Sequence, residues 1–493
     1  MEANTEIAGA LPSARTTGFL GVLAGIREKI RAIGLDGKWR IGFHCITMNT
    51  TFQISRRSFV KKCAATAAAT GLPIWFIERE MAEAQNAPPP STSPNERPGI
   101  ALIGCGGQGG SDIGAASRHG DVVAVCDVDD GHASGQLRGH PNATKYSDFR
   151  KVMERSDVNI VVQATPDHWH TLINVAAARA KKDIYAEKPL TLTVEEGQRV
   201  IKAVRDNKVV LQTGTQQRSD RNFRLACELV RNERIGKLKT IYVWVPAGLR
   251  EGPFRTGQQA PASLNWDFWR GQTAADEYQR ERCFGTFRWW WQYAGGPVTD
   301  WGAHHNDIAR WAIGQDGPLA VEGKVITPPI EGGYTTPSEY EATLTWANGI
   351  TQIVKTTKDD MWTGGVINRD GQRNGLRFEG ANGWIWVNRG SISASDQDLL
   401  TSALPESAVR LERSSDHMGN FFDCVKSRKD PISAVEIGHR SAVVGHLIVI
   451  ALRTGHKFQW DPVKEVFTGD NAAEGNGMLA REMRKPYDVS FLG

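Results

Sequence analysis

Ile100-Ala101-Leu102-Ile103-Gly104-Cys105-Gly106-Gly107-Gln108-Gly109 is the stretch whose reading decides the fold. A short apolar run of strand length passes directly into a G-x-G-x-x-G, and that order predicts strand, tight turn and helix. Gly104 permits the turn, Gly106 lets backbone approach a pyrophosphate, and Gly109 allows close helix-strand packing. Gly107 and Gln108 sit where the helix N-terminus faces negative charge. Alone the motif is weak. Its weight comes from the next apolar run, residues 122–126, which ends in Asp127, 18 residues beyond Gly109. A carboxylate there can hydrogen-bond both ribose hydroxyls and would repel a 2′-phosphate, so the expected cofactor is NAD rather than NADP.

The alternation continues outward from this unit. A helical stretch is expected over 146–154, a strand over 160–162, a helix over 171–180 and a strand over 183–186. A helix over 194–207 and a strand over 209–213 close the domain. This is the pattern of a doubly wound parallel sheet. Beyond it the period changes. Residues 238–245 alternate, 340–346 and 350–356 flank Asn348-Gly349, and 376–380 precedes 384–387 across a second Asn-Gly. These are antiparallel hairpin signals. Residues 417–427 and 436–454 then read as helices, the second ending near Gly455.

The formal charge of +4 invites a question about nucleic acid. Residues 1–84 hold 11 basic and 7 acidic side chains, which leaves 48 of each in the remainder. The main body is formally neutral, and no basic patch argues for nucleic acid or an anionic membrane. The seven cysteines include no C-x-x-C, so neither a zinc ribbon nor a disulfide framework is indicated.

Ser55-Arg56-Arg57-Ser58-Phe59-Val60-Lys61-Lys62, followed by a modest apolar region to Ile77, resembles a twin-arginine signal. The apolar region is short and broken by Gly71 and Pro73, too little for a membrane span. Ala82-Glu83-Ala84 fits a small-x-small cleavage site, which would start the mature chain near Gln85. Met48 is an alternative start. The alternative to a signal is a chance Arg-Arg before a core helix. The expected organisation is a leader over 1–84, a linker over 85–96, a dinucleotide-binding domain over 97–218 and a second domain over 219–493. Recognition by the export machinery and a periplasmic or secreted location follow from the leader. That route carries folded proteins, so a nicotinamide would be acquired before export.

Two further segments carry a family resemblance. Ala164-Thr165-Pro166-Asp167-His168-Trp169-His170 with Ala186-Glu187-Lys188-Pro189-Leu190 is one; Gly295-Gly296-Pro297-Val298-Thr299-Asp300-Trp301-Gly302-Ala303-His304-His305-Asn306-Asp307 is the other. Together they resemble the glucose-fructose oxidoreductase, inositol dehydrogenase and MocA family (Gfo/Idh/MocA) over roughly residues 97–460. The resemblance implies a Rossmann domain followed by an α/β domain with a large, mainly antiparallel sheet through which copies of the chain associate. It also implies an oxidoreductase acting on a secondary hydroxyl of a sugar, polyol or glycoside. Alternatives are a glycosidase or lyase that uses NAD transiently, and a sugar-binding relative without catalysis. Pro297 stands where the family commonly has a third glycine.

Oxidising a secondary alcohol requires a base for the hydroxyl proton and a positive group near the developing alkoxide. Lys188, Asp300 and His304 match the family's catalytic positions. The resemblance implies His304 as base, Asp300 as its orienting partner and Lys188 as the group polarising the oxygen. Relatives use either Lys188 or His304 as base, and that choice stays open. Thr165, Pro166, His170 and Glu187, with Lys188, are implied to face the cofactor, and Arg218 and His305 to meet substrate. His168 and His170 form an H-x-H, but no cysteine or carboxylate set completes a metal shell, so no metal site is expected. The run Phe287-Arg288-Trp289-Trp290-Trp291 suits either a sugar-stacking surface or core packing.

Overall fold

The computed structural model describes residues 56–86, 97–274, 277–356 and 374–492. Met48, Cys45 and most of the expected linker lie outside the described residues, as do the side chains of Arg56 and Arg57.

Six parallel strands form the first sheet: β1 (Gly99–Ile103), β2 (Asp121–Cys126), β3 (Thr144–Tyr146), β4 (Ile160–Gln163), β5 (Asp183–Ala186) and β6 (Leu211–Thr213), in the order β3-β2-β1-β4-β5-β6. Reversal of strand order between β1 and β4 is the doubly wound arrangement, and it opens a crevice at the strands' carboxyl ends. β1, β4 and β5 are buried along their whole length, which is why they read as unbroken apolar runs. Two elements differ from the sequence expectation. Residues 144–146 pair with β2 as a third strand, and the helix after them is confined to Phe149–Met153, started by Asp148, whose carboxylate accepts from the Arg150 N–H. The last strand is shortened to three residues.

The second sheet has nine strands: β7 (Leu238–Val245), β8 (Ala320–Thr327), β9 (Glu339–Thr345), β10 (Thr351–Thr356), β11 (Gly375–Gly380), β12 (Trp384–Val387), β13 (Ile392–Ala394), β14 (Phe458–Asp461) and β15 (Val466–Thr468). Their order is β13-β12-β11-β7-β10-β9-β8-β14-β15, antiparallel throughout except for the β7–β10 pair. The β9–β10 hairpin turns at Asn348 (φ +63°) and Gly349 (φ +75°), the paired positive angles that Asn-Gly supplies at low cost. One face of this sheet packs on the helices Arg221–Arg231, Trp301–Ile313 and Val435–Thr454. The last is long and apolar enough to cross a membrane, but it is largely buried in this core.

Segments distant in sequence complete each domain. Met418, Phe421 and Phe422 of the helix His417–Ser427 pack against Ile100, Leu102 and Ile113 of the first domain. The stretch read as leader behaves likewise: the helices Arg56–Thr70 and Ile74–Asn86 place Cys63, Ala67, Leu72, Phe76 and Ile77 in the core of the second domain. Arg79 pairs with Glu228 at 2.9 Å, and Arg224 bridges Glu228 and Glu80, all three partners being almost fully buried. In the fold, the limit at residue 84 falls inside a packed helix.

Candidate active site

The loop after β1 carries the first half of the site. Gly104 (φ +91°) turns where a Cβ would lie 2.6 Å from the backbone of Ala164, and a Cβ at Gly109 would lie 2.0 Å from the Gly104 carbonyl oxygen. Gly106 and Gly107, by contrast, have open space where a Cβ would stand. They begin the helix Gly107–Ala116, whose first turn has no side-chain cap, so its N–H groups face the crevice as an anion cradle. At the end of β2, Asp127 accepts from the Cys105 N–H at 2.7 Å and the Asp129 N–H at 2.9 Å. Oδ1 keeps a further lone pair for a ribose hydroxyl, while His132 Nδ1 stands 3.7 Å from Oδ2. These residues fit NAD.

The cleft above them encloses about 340 Å³. Thr165, Pro166, Glu187 and Lys188 line it from the loops after β4 and β5, and Phe284, Phe287 and Arg288 line it from the second domain. His170 does not face it. Its Nδ1 lies 2.6 Å from the Pro189 carbonyl oxygen and its Nε2 2.8 Å from that of Thr165, so it sits between the two motif loops from behind, and the single N–H of its neutral form donates to one of them. His168 is occupied by the Trp269 carbonyl oxygen at 2.9 Å.

A second cavity, about 680 Å³, is lined by Lys188, Arg288, Asp300, Trp301, His304 and Arg389 among others. Lys188, Arg288, Glu187 and Gln108 line both spaces, so the two meet there. Asp300 precedes the helix Trp301–Ile313 at its N-cap position, and His304 stands one turn along it. The Asp300 carboxylate makes no cap. Oδ1 instead accepts from Lys188 Nζ at 2.7 Å and Arg288 Nε at 3.1 Å. Burial pushes the Asp300 carboxyl up, but Lys188 and Arg288 outweigh it and hold it down to about 2. Burial, with Lys188 and Arg389 nearby, holds the His304 imidazole well below its ordinary range. It is neutral at pH 7. Asp167 shows the opposite balance, since burial pushes it up to about 7 against the pull of Arg288 and Lys188.

Three expected roles are corrected by this geometry. Asp300 does not orient His304, whose Nδ1 is buried without a partner among the described residues; it anchors Lys188. Arg218 lies outside the cavity in a two-pronged pair with Asp307, both bonds 2.7 Å, because a buried guanidinium requires a carboxylate. His305 is fully buried, with Nε2 2.9 Å from Asn374 Oδ1, and supports the helix from behind. The tryptophan run also resolves: Trp290 packs with Tyr293 and Tyr334 in an aromatic core. Among the described residues the aromatic side chain in the cavity is Trp301, with the Arg389 guanidinium 4.5 Å from its ring centroid.

Sequence reading passed over Arg288, Arg389, Asp167 and Trp301. Arg288 had a signal of its own, because a cation inside an aromatic run is costly unless it reaches a partner. Arg389 had none.

Residues 99–215 match the Gfo/Idh/MocA oxidoreductase family's NAD-binding Rossmann fold, and residues 242–489 match its C-terminal alpha/beta domain. The chain is 31% identical over 147 residues to inositol 2-dehydrogenase of Pseudarthrobacter chlorophenolicus, covering 29% of this chain and 44% of that protein. It is 27% identical over 221 residues to inositol 2-dehydrogenase 2 of Saccharopolyspora erythraea, covering 44% and 54%. The matches thus span about half the length of these relatives. The WlbA dehydrogenase of Bordetella pertussis, solved with NADH and UDP-GlcNAcA, superposes with a TM-score of 0.56 at 18% identity, covering 74% of this chain and 99% of that one. Aldose-aldose oxidoreductase of Caulobacter crescentus also gives 0.56, at 19% identity, covering 74% and 100%. Both likenesses establish the fold.

Proposed function

Since the chain belongs to the Gfo/Idh/MocA oxidoreductase family, we propose that it oxidises a secondary hydroxyl of a sugar, polyol or glycoside with NAD. The reading rests on Lys188, which stands where the cofactor cleft meets the second cavity and is paired there with Asp300. NAD, held by Gly104 to Gly109 and Asp127, supplies the hydride acceptor. Asp300 stays ionised and fixes the Lys188 ammonium, which polarises the hydroxyl oxygen and stabilises the alkoxide as charge develops. His304, neutral in the same cavity, takes the hydroxyl proton. Trp301 offers an apolar face to the ring, and the polar wall of Gln216 and Gln217 offers partners to its remaining hydroxyls.

The proposal extends to location and assembly. The twin-arginine pattern at Arg56-Arg57 supports export in the folded state with NAD aboard, and the nine-stranded sheet offers a face for pairing with a second copy. Purified from the periplasm, the protein should carry close to stoichiometric NAD; cofactor-free protein in the cytoplasm alone would overturn that part.

The activity is tested by incubating full-length protein and NAD with a panel of inositols, aldoses and glycosides, following NADH absorbance and analysing products by mass spectrometry. A carbonyl product is expected, formed about 10²-fold more slowly by Lys188→Ala and by His304→Ala. Hydrolysis or elimination without an oxidised product, or parental turnover in both variants, would overturn the reading.

A further inference from the structure

Away from the active site, a cavity of about 260 Å³ is lined by Arg218, Arg231, Arg310, Trp311, Asp316 and Glu412 among others. Two of its charges are already matched. Arg218 is neutralised by Asp307, and Asp316 pairs with Arg440. Arg310 is different. Only 8% of it is exposed, its Nε is enclosed without a partner, and its side chain makes no hydrogen bond or ion pair among the described residues. A guanidinium brings five donors and does not shed its charge, so burying one without an acceptor is strongly unfavourable. Its place in the last turn of the helix Trp301–Ile313 gives it the negative end of the helix dipole, a weak compensation.

Arg231 reaches the same cavity across Gly314, where a Cβ would stand 1.6 Å from its Nη1. Nη1 donates to the Trp311 carbonyl at 3.5 Å, and no carboxylate lies within ion-pair distance among the described residues. Of the lining carboxyls, Glu412 alone lacks an ionic partner there, and burial pushes it towards its neutral form against the pull of Arg218. Burial and the charge of Arg218 also hold Arg310 down to about 10, although Asp307 and Asp316 pull it up and Arg440 pushes it further down. The cavity therefore holds two cations facing at most one anion, beside Trp311, whose ring carries the Arg218 guanidinium at 4.9 Å.

We propose that this cavity binds a small oxyanion, the phosphate or carboxylate group of an organic ligand, with Arg310 and Arg231 as its receptors. Guanidinium groups present paired N–H donors that match two oxygens of either group. A space of this size admits an organic body beside the charged group.

Full-length protein is titrated with inorganic phosphate and, separately, with citrate, against sodium chloride at equal ionic strength, reading both Tm and calorimetric heat. A rise of a few degrees in Tm with saturable heat is expected from one or both anions. Response to phosphate alone assigns a phosphorylated ligand, and response to citrate alone a carboxylated one. Arg310→Gln should weaken that binding by about 10-fold or more, as loss of a charged hydrogen bond implies. Arg231→Gln, at the partly exposed rim, should weaken it without loss of folding. The proposal is overturned by the absence of any saturable response, by an equal response in Arg231→Gln, or by a change of oligomeric state alone in Arg310→Gln. The last result would make the occupant a carboxylate of a second copy.

Discussion

Asp300 serves two cations with one oxygen, and that sharing sets the electrostatics of the active site. Removing Arg288 leaves Asp300 with Lys188 alone, so its carboxyl should rise from about 2. A raised carboxyl is protonated at higher pH, and protonation releases Lys188. Arg288→Gln should therefore move the acid limb of the kcat/KM profile to higher pH as well as lowering kcat; an unmoved limb would separate Arg288 from Asp300. Arg218 lies on the other side of the same helix and has no such part. Arg218→Ala strips Asp307 of its buried partner and should cost about 3–5 kcal/mol in urea unfolding while leaving KM unchanged. Both residues are arginines near one motif, yet only Arg288 faces the reaction.

At the scale of elements, the helices Arg56–Thr70 and Ile74–Asn86 join the second domain through apolar contacts and a buried ion network. Phe76 and Ile77 are each fully enclosed, worth about 1.5–3 kcal/mol apiece by area. Loss of Glu80 would leave Arg224 with Glu228 alone. A chain beginning at Gln85 should consequently melt several degrees lower than one beginning at Met48, in a thermal scan of both. Equal melting would mean that the docked helices contribute nothing to the mature domain. The longer form also holds Trp75 half-buried, its indole N–H donating to the Leu400 carbonyl at 3.0 Å, which gives a fluorescence marker of docking.

For the whole molecule, two sets of buried groups oppose each other in pH dependence. Burial lowers the imidazoles of His168 to about 3, His305 to about 3, His417 to about 4 and His446 to about 3. The unfolded chain binds protons there first, so stability rises with pH up to about 6.5, where unfolded histidine has lost its proton. Burial raises Asp112 to about 8 and Asp167 to about 7, and Glu187 in the same direction. The folded state holds these protons longer, so their contribution falls as pH rises from about 4 to about 8. The nucleotide-free protein should be most stable near neutrality in urea unfolding at pH 5, 6.5 and 8.5. Asp167→Asn should flatten the alkaline side, and a decline as steep as the parent's would remove Asp167 from this account.

What the sequence determined by itself was whatever depends on neighbours along the chain. The run into Gly104-Cys105-Gly106-Gly107-Gln108-Gly109 fixed a strand, a turn of positive φ and a helix start, because only glycine fits at Gly104 and Gly109. β5 and the helix Val194–Asn207 were legible to the residue and the strands of the Asn-Gly hairpin to within one, and Lys188, Asp300 and His304 stood out in their motifs. Tertiary structure decided what depends on distance in space. Nothing local distinguishes Arg218, which is neutralised by Asp307 of the helix Trp301–Ile313, from Arg389, which the turn between β12 and β13 brings to the cavity, where it stacks on Trp301. Nor was the docking of the stretch after Arg57 legible, since an Ala-rich apolar helix suits an export signal and a packed segment alike. Apolar contacts, together with the buried partners Glu228 and Arg224 some 150 residues away in the chain, join it to the core of the second domain.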